Sequence, residues 1–135
     1  MDTNEQYIHE DEVRDNETDL QGIVNNANYF IYMAHTRHKH IKALGIGFAD
    51  LHNNGYNLVA SEANIKYKTP LIAGDKYIVT SKVAPSGKIR LIFEHEILRK
   101  SDNRKVAVGT LTATCLSIAT GRPKFPDEIK KLFNM

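Results

Sequence analysis

A single segment with helical periodicity lies among extended segments, and this contrast most restricts how the 135-residue chain can fold. Between Asn28 and Leu44, apolar positions recur every three or four residues, and Gly45 follows as a stop signal. Asn25 and Asn26 stand where their side chains can cap the first turn. The apolar positions are Phe30, Met33, Ala34, Ile41 and Leu44, together with the stem of Arg37. A lone long helix has to bury its apolar face against a sheet.

Five other segments have the alternation or the β-branched content of strands. They are Tyr7–Arg14, Leu58–Tyr67, Lys76–Val83, Ile89–Leu98 and Lys105–Ala119. The first is weakly apolar, which predicts an edge strand or a partner-facing strand. The other four follow one another along the chain, so we expect an antiparallel meander. A short helix that opens at Pro126 and continues through Phe133 is predicted at the end.

The last predicted strand carries a row of small side chains on one face. The row comprises Ala107, Gly109, Ala113, Cys115 and Ser117, interrupted only by Leu111. Small side chains allow a bulky element to approach closely, and the long helix is the element available. The opposite face is too apolar to be left in water, which predicts a partner subunit. The predicted class is α+β, with an antiparallel sheet wrapped around one central helix and oligomerisation through the sheet.

Length and composition restrict the function classes. We expect one domain, residues 1–135, because domains commonly have about 100 to 200 residues. The net charge of +2 gives no reason to expect a nucleic-acid or membrane partner. Cys115 is the only cysteine, which excludes an internal disulfide and a zinc cluster built on cysteines. The chain shows no apolar run of about 20 residues and no signal sequence, so a cytoplasmic location is expected.

The most informative candidate for chemistry lies in the segment Val13–Phe30. It places Asp19 in a loop that runs through Gly22 to the predicted helix N-terminus near Asn26. Unpaired N–H groups at a helix N-terminus suit a carbonyl oxygen that becomes an oxyanion. A carboxylate beside them can act as a nucleophile or as a general base toward water. On spacing alone, an ordinary capping or loop role for Asp19 stays open as the commoner alternative.

The run from Asp19 to Phe30, DLQGIVNNANYF, resembles the D-x-x-G-(I/V)-V-x-x-x-N-Y motif of the 4-hydroxybenzoyl-CoA thioesterase family, which has the hotdog fold. Further matches follow in order and cover nearly the whole chain. They are Arg37, Leu44-Gly45, Tyr67-x-x-Pro70, Gly74-Asp75, and Thr120-Gly121-Arg122-Pro123 through Pro126. The resemblance implies an acyl-CoA thioesterase that releases a free acid and CoA, with no cofactor.

The resemblance also implies roles for individual residues. Asp19 falls at the catalytic carboxylate, and Asn26 falls where a backbone N–H polarises the thioester carbonyl. The residues expected to contact the substrate are Gly22, Val24, Asn28, Tyr29 and Glu62. For Tyr29 a role as a core aromatic stays open, and for Glu62 a role as an exposed or paired carboxylate. Active sites of the family lie between two subunits, which implies a homodimer or a homotetramer.

Departures from the family pattern keep alternatives open. Many relatives carry a second Asp where this chain has Glu17, and many have a His in place of Asn26. The same region resembles plant acyl-carrier-protein thioesterases, but Gln21 and Ile23 occupy the positions of their Asn and His. Alternative functions are therefore hydrolysis of acyl-carrier-protein thioesters and non-catalytic binding of acyl-CoA. The alternative carboxylates are Glu17 and Glu62.

Other reactive side chains have simpler interpretations. His35, His38 and His40 are expected on a solvated basic face, and a contact between this face and the CoA phosphates stays open. A metal site is not expected there, because a helical histidine pair lacks the third ligand. No metal is expected. His95 is predicted to be a hydrogen-bonded core histidine, and Cys115 a packed thiol.

Overall fold

The computed structural model describes residues 1–135 and combines five strands with one long helix and two short ones. In chain order the elements are β1 (Tyr7–Glu12), a 3-10 turn (Asp15–Glu17), α1 (Asn26–Ala43), α2 (Phe48–Asn53), β2 (Tyr56–Tyr67), β3 (Lys76–Ser86), β4 (Arg90–Arg99), β5 (Lys105–Ser117) and α3 (Asp127–Leu132). The predicted α+β class is confirmed. The sequence pattern missed α2, because six residues are too few to show a helical period. None of the helices is long and apolar enough to cross a membrane.

The strand order is β1-β3-β4-β5-β2, so the predicted meander of the last four strands is wrong. Strands β3, β4 and β5 are consecutive neighbours, but β2 pairs with β5 instead of β3. The connection from Tyr67 to Lys76 contains Pro70, which cannot donate a hydrogen bond to a neighbouring strand. It leads from β2, at one edge of the sheet, to β3, which lies beside β1 near the opposite edge. Strand β1 pairs only with β3, which confirms its predicted edge position.

Helix α1 begins two residues earlier than the pattern predicts and presents a slightly different face to the sheet. Asn25 is its N-cap, and the side-chain oxygen of Asn25 accepts a hydrogen bond from the Ala27 N–H at 2.9 Å. The buried residues are Tyr29, Tyr32, Met33, Thr36, His40 and Ile41. Phe30, expected on this face, is exposed. The buried face includes two polar residues, Thr36 and His40, whose side chains form hydrogen bonds with the Tyr32 carbonyl and with Ser81.

Helix α1 packs tightly against the sheet at Gly109. A Cβ atom at this position would lie 2.7 Å from Met33 Sδ and 3.1 Å from the Asn64 carbonyl oxygen. The flanking residues on the same face, Ala107 and Leu111, are buried. The small-residue row of β5 therefore faces the helix, as predicted.

A band of polar side chains crosses the core between two apolar clusters. One cluster surrounds Ile41 and Phe93, and the other surrounds Tyr32 and Ile97. We call the band between them the polar belt, and it comprises Thr36, Arg37, His40, Ser81 and His95. Its members are hydrogen-bonded: Thr36 Oγ1 donates to the Tyr32 carbonyl at 2.9 Å.

Two histidines of the polar belt are almost fully buried. His40, at 0% exposure, has its Nδ1 2.8 Å from Ser81 Oγ, so its predicted place on a solvated face is wrong. His35 and His38 do lie at the surface. His95 is a hydrogen-bonded core histidine, as predicted, with Nδ1 3.3 Å from the Thr80 carbonyl oxygen. Burial lowers the pKa of both buried histidines, and that of His95 falls to about 4.

Cys115 is a buried free thiol on the inner face of β5, as predicted. Burial raises its pKa to about 11, so the thiol stays protonated at neutral pH.

Candidate functional site

Asp19 and the start of α1 lie at a pocket of about 350 Å³. The residues just before α1 and the segment that follows β2 form the remaining walls. The lining includes Asp19, Val24, Asn26, Tyr29, Tyr67 and Lys68. The structure therefore brings together four of the residues predicted for the site, namely Asp19, Val24, Asn26 and Tyr29. It does not bring Gly22, Asn28 or Glu62 into this lining.

A tight turn holds the Asp19 carboxylate at the pocket. The Asp19 N–H donates to the Ile23 carbonyl at 2.8 Å, and the Gly22 N–H donates to the Asp19 carbonyl at 3.0 Å. Asp19 Oδ1 accepts from the Gln21 N–H at 2.8 Å. Gly22 has φ of 79°, in the left-handed region that glycine adopts without steric cost. One carboxylate oxygen is thus used to fix the turn, and Oδ2 makes no hydrogen bond within the chain.

Asn28 anchors this loop from the first turn of α1. Its Nδ2 donates to the Glu17 carbonyl at 2.8 Å, and the Asn25 N–H donates to the same oxygen at 3.1 Å. The segment between these contacts contains Asp19. Asn28 thereby sets the position of the carboxylate relative to the helix without lining the pocket.

Tyr29 joins the opposite wall of the pocket to α1. Its hydroxyl oxygen accepts a hydrogen bond from the Leu71 N–H at 3.0 Å, and its ring is buried. The ring centroid lies 5.7 Å from that of Tyr67, whose hydroxyl donates to the Asn26 carbonyl at 3.3 Å. Burial raises the pKa of Tyr29, so it stays a neutral phenol.

The first turn of α1 has one N–H group with no acceptor. The Ala27 N–H is satisfied by Asn25 Oδ1 at 2.9 Å, and the Asn28 N–H by the Asn25 carbonyl at 2.8 Å. The Asn26 N–H makes no hydrogen bond within the chain, and Asn26 lines the pocket. An unpaired N–H at the positive end of an 18-residue helix suits an oxygen that gains negative charge.

Glu17, the nearest alternative carboxylate, is engaged in the structure of the loop. Its Oε1 accepts from the Arg14 N–H at 2.8 Å, and its Oε2 lies 3.7 Å from Arg14 Nη1. Glu17 does not line the pocket.

Glu62 lies on the other side of the sheet. It pairs with Thr112 on the outer face, whereas α1 covers the inner face. Glu62 is also exposed, and it precedes the pocket residue Tyr67 by five residues, or about 17 Å along the strand. Within one chain, the structure does not bring Glu62 to Asp19.

Lys68 and Thr69 line the pocket, and the motif match Tyr67-x-x-Pro70 covers this segment without specifying either residue. They follow β2, and only the pairing of β2 with β5 places this segment beside α1. Lys68 is the one cation in the lining, and Asp19 is the one carboxylate. No group of three or more His, Cys, Asp or Glu side chains is arranged to hold a metal ion.

A carboxylate and an unpaired helix N–H in a largely apolar pocket are the parts needed to hydrolyse an activated acyl carbonyl. The chain belongs to the Thioesterase-like superfamily, whose profile matches residues 13–133. The match confirms the family resemblance noted in the sequence.

Known relatives agree with this assignment. The chain is 32% identical over 121 residues to acyl-acyl carrier protein thioesterase ATL3, chloroplastic, of Arabidopsis thaliana, covering 90% of this chain and 64% of the plant protein. It is 30% identical over 123 residues to the protein named "Putative acyl-CoA thioesterase YneP" in Bacillus subtilis, covering 90% of this chain and 86% of that protein.

A solved structure shows the same fold. Slr0204, a 1,4-dihydroxy-2-naphthoyl-CoA thioesterase from Synechocystis, superposes with a TM-score of 0.88 at 15% identity, over 96% of each chain. The predicted hotdog fold is confirmed.

Proposed function

We propose that the protein hydrolyses acyl-CoA thioesters to a free carboxylic acid and CoA. The observation that carries the proposal is the placement of Asp19 and the unpaired Asn26 N–H in one pocket. The names of YneP, a putative acyl-CoA thioesterase, and Slr0204, a 1,4-dihydroxy-2-naphthoyl-CoA thioesterase, support CoA as the carrier.

Asp19 can act in either of two ways. As a nucleophile, its free Oδ2 attacks the thioester carbonyl, CoA leaves as a thiolate, and water then hydrolyses the mixed anhydride. As a general base, Asp19 takes a proton from a water molecule that attacks the carbonyl directly. Both courses pass through a tetrahedral oxyanion, which the Asn26 N–H stabilises.

We infer that the active form is at least a dimer, paired through β2. This strand has 12 residues and lies at one edge of the sheet, with its outer backbone groups unpaired. The other edge strand, β1, has six residues and carries Glu10, Asp11 and Glu12, and such charges oppose pairing with a copy of itself. A twofold axis that pairs β2 with its copy doubles the sheet.

This pairing also places the proposed site between two subunits, as the family resemblance implies. The Asp19 pocket lies at the Tyr67 end of β2. Antiparallel overlap of the whole strand sets Tyr67 opposite Tyr56 of the partner subunit. Each Asp19 pocket then lies next to the early part of the partner's β2.

The second candidate function is hydrolysis of acyl-carrier-protein thioesters, which the identity with the plant enzyme favours. The test is release of free thiol from the same acyl group carried on CoA and on a carrier protein. The proposal predicts saturable release from acyl-CoA. Release from the carrier protein alone supports the second candidate, and tight binding of acyl-CoA without release supports a non-catalytic binding protein.

A further inference from the structure

A second cavity, of about 140 Å³, lies between α1 and the early part of β2. Eight of its ten lining residues are hydrophobic, among them Phe48, Leu58 and Leu111, and the other two are Arg37 and His38. Apolar cavities of about 150 Å³ hold a molecule of the size of benzene. The cavity therefore suits an apolar group of about six carbons.

Arg37, which lines this cavity, has a guanidinium group without a carboxylate partner. Its only hydrogen bond within the chain joins Nη1 to His95 Nε2 at 3.4 Å, and it forms no salt bridge. Residues 27–47 contain no Asp or Glu. The acids on the facing strands β2 and β4, Glu62, Glu94 and Glu96, pair with Thr112, Thr110 and Val108 on the outer face of the sheet.

His95 holds Arg37 by accepting this hydrogen bond. The His95 Nδ1 atom lies 3.3 Å from the Thr80 carbonyl oxygen, so the ring carries its proton on Nδ1 and presents the lone pair of Nε2 to Arg37. A guanidinium has five N–H donors, and four of those of Arg37 make no bond within the chain. A half-buried cation in an apolar setting is stabilised most by an oxygen acceptor that carries charge.

We propose that this cavity receives the acyl group of the substrate and that Arg37 selects short acyl groups that end in a carboxylate. This inference rests on the proposed thioesterase function, because it specifies the acyl group of that reaction. It makes Arg37 a specificity-determining residue.

Pairing of two subunits through β2 brings this cavity close enough to the Asp19 pocket to receive the acyl group. Within one chain, the cavity at Leu58 to Ala60 is about 23 to 30 Å from Tyr67 along the strand. With Tyr67 opposite Tyr56 of the partner subunit, the partner's cavity comes to within roughly 7 to 13 Å of Tyr67 along the strand direction. A thioester held at Asp19 can then extend its acyl group toward Arg37 of the partner subunit.

Activity is tested with matched pairs of CoA thioesters that differ only in the terminal group. The pairs are butyryl and succinyl, hexanoyl and adipoyl, and octanoyl and octanedioyl. The wild-type protein is expected to prefer the carboxylate member of at least one pair by about tenfold or more in kcat/KM. Arg37→Met should abolish the preference, and Arg37→Lys should retain part of it. Lys88→Met, which removes a positive charge from the exposed β3–β4 turn, should leave it unchanged.

Binding is tested separately with S-hexyl-CoA and S-(5-carboxypentyl)-CoA, thioethers that cannot be hydrolysed. Titration calorimetry should show tighter binding of the carboxylate analogue to the wild type and no such difference for Arg37→Met. If no thioester is hydrolysed but this difference is found, the hydrolytic function fails and the role of Arg37 stands. Hydrolysis with no preference in any pair overturns the role of Arg37 and leaves the hydrolytic function intact. A preference that survives Arg37→Met also overturns it.

Discussion

The Asn28 side chain donates a 2.8 Å hydrogen bond from Nδ2 to the backbone carbonyl of Glu17. This bond joins the first turn of α1 to the loop that carries Asp19. The Asn25 N–H donates to the same oxygen at 3.1 Å, so two donors fix one end of the loop. The distance between the Asp19 carboxylate and the Asn26 N–H thus depends on a side chain that does not line the pocket.

Replacing Asn28 with alanine should lower kcat more than it raises KM. The loop would lose its side-chain anchor, and Asp19 would spend less time in the productive position. Thermal or urea unfolding should show a loss of about 1 kcal/mol in stability, the usual contribution of one hydrogen bond. Asn16→Ala, at an exposed position in the 3-10 turn, is the control and should change neither quantity. Wild-type kcat in Asn28→Ala would show that the bond does not position Asp19.

Gly109→Ala should destabilise the protein by roughly 1 to 3 kcal/mol, the range for overpacked cores. The added Cβ lies 2.7 Å from Met33 Sδ and 3.1 Å from the Asn64 carbonyl oxygen, so both neighbours have to shift. Urea unfolding of Gly109→Ala, Met33→Ala and the double variant gives the interaction free energy between positions 109 and 33. Because Met33→Ala removes the closer contact, the double variant should be more stable than the sum of the single effects predicts. Additive effects would place the clash elsewhere.

Acid should destabilise the folded protein through His95. Its pKa is about 4 in the folded state and about 6.5 when unfolded, so the unfolded chain binds more protons between these values. The neutral His95 ring makes its full contribution to the free energy of unfolding above about pH 6.5. This contribution is lost as the pH falls to about 4. The loss approaches about 3 kcal/mol.

Comparison with a variant isolates this effect from the acids that titrate in the same range. His95→Gln cannot take up the proton, so its unfolding free energy should fall less steeply between pH 6.5 and 4 than that of the wild type. Parallel curves for the two proteins would mean that His95 has the same pKa in the folded and unfolded states, which would contradict the prediction.

Specific activity should depend on protein concentration if the site forms between two subunits. Light scattering is expected to give at least twice the chain mass of 15.3 kDa at micromolar concentration. On dilution, activity per chain should fall together with the dimer population. A stable monomer that keeps full activity would contradict pairing through β2.

Local features of the fold and the site were predictable from the sequence, and features that depend on distant pairing were not. The helical periodicity and the capping residues predict α1. The motif from Asp19 to Phe30, which spans a dozen residues, predicts the Asp19 loop. The position of β2 does not, because neighbouring strands in sequence usually pair, whereas this strand pairs with β5.

The buried face of α1 shows the same limit. His40 is polar, and the pattern assigned it to solvent, but Ser81 offers it a hydrogen bond from 41 residues away. Lys68 joins the pocket only because β5 holds the end of β2 beside α1. In both cases the deciding contact lies outside any local window of the sequence.

The central claim is that Asp19 carries the reaction, and single-turnover hydrolysis of an acyl-CoA by Asp19→Asn tests it most directly. The substitution keeps the shape of the side chain and removes its charge, and loss of a positioned acid–base group typically costs about 100-fold to 10,000-fold in rate. Binding of the substrate should change far less. Asp15→Asn, in the preceding 3-10 turn and outside the pocket, should keep the wild-type rate. A wild-type rate in Asp19→Asn, with loss of hydrolysis in Glu17→Gln or Glu62→Gln, would contradict the account and assign the reaction to another carboxylate.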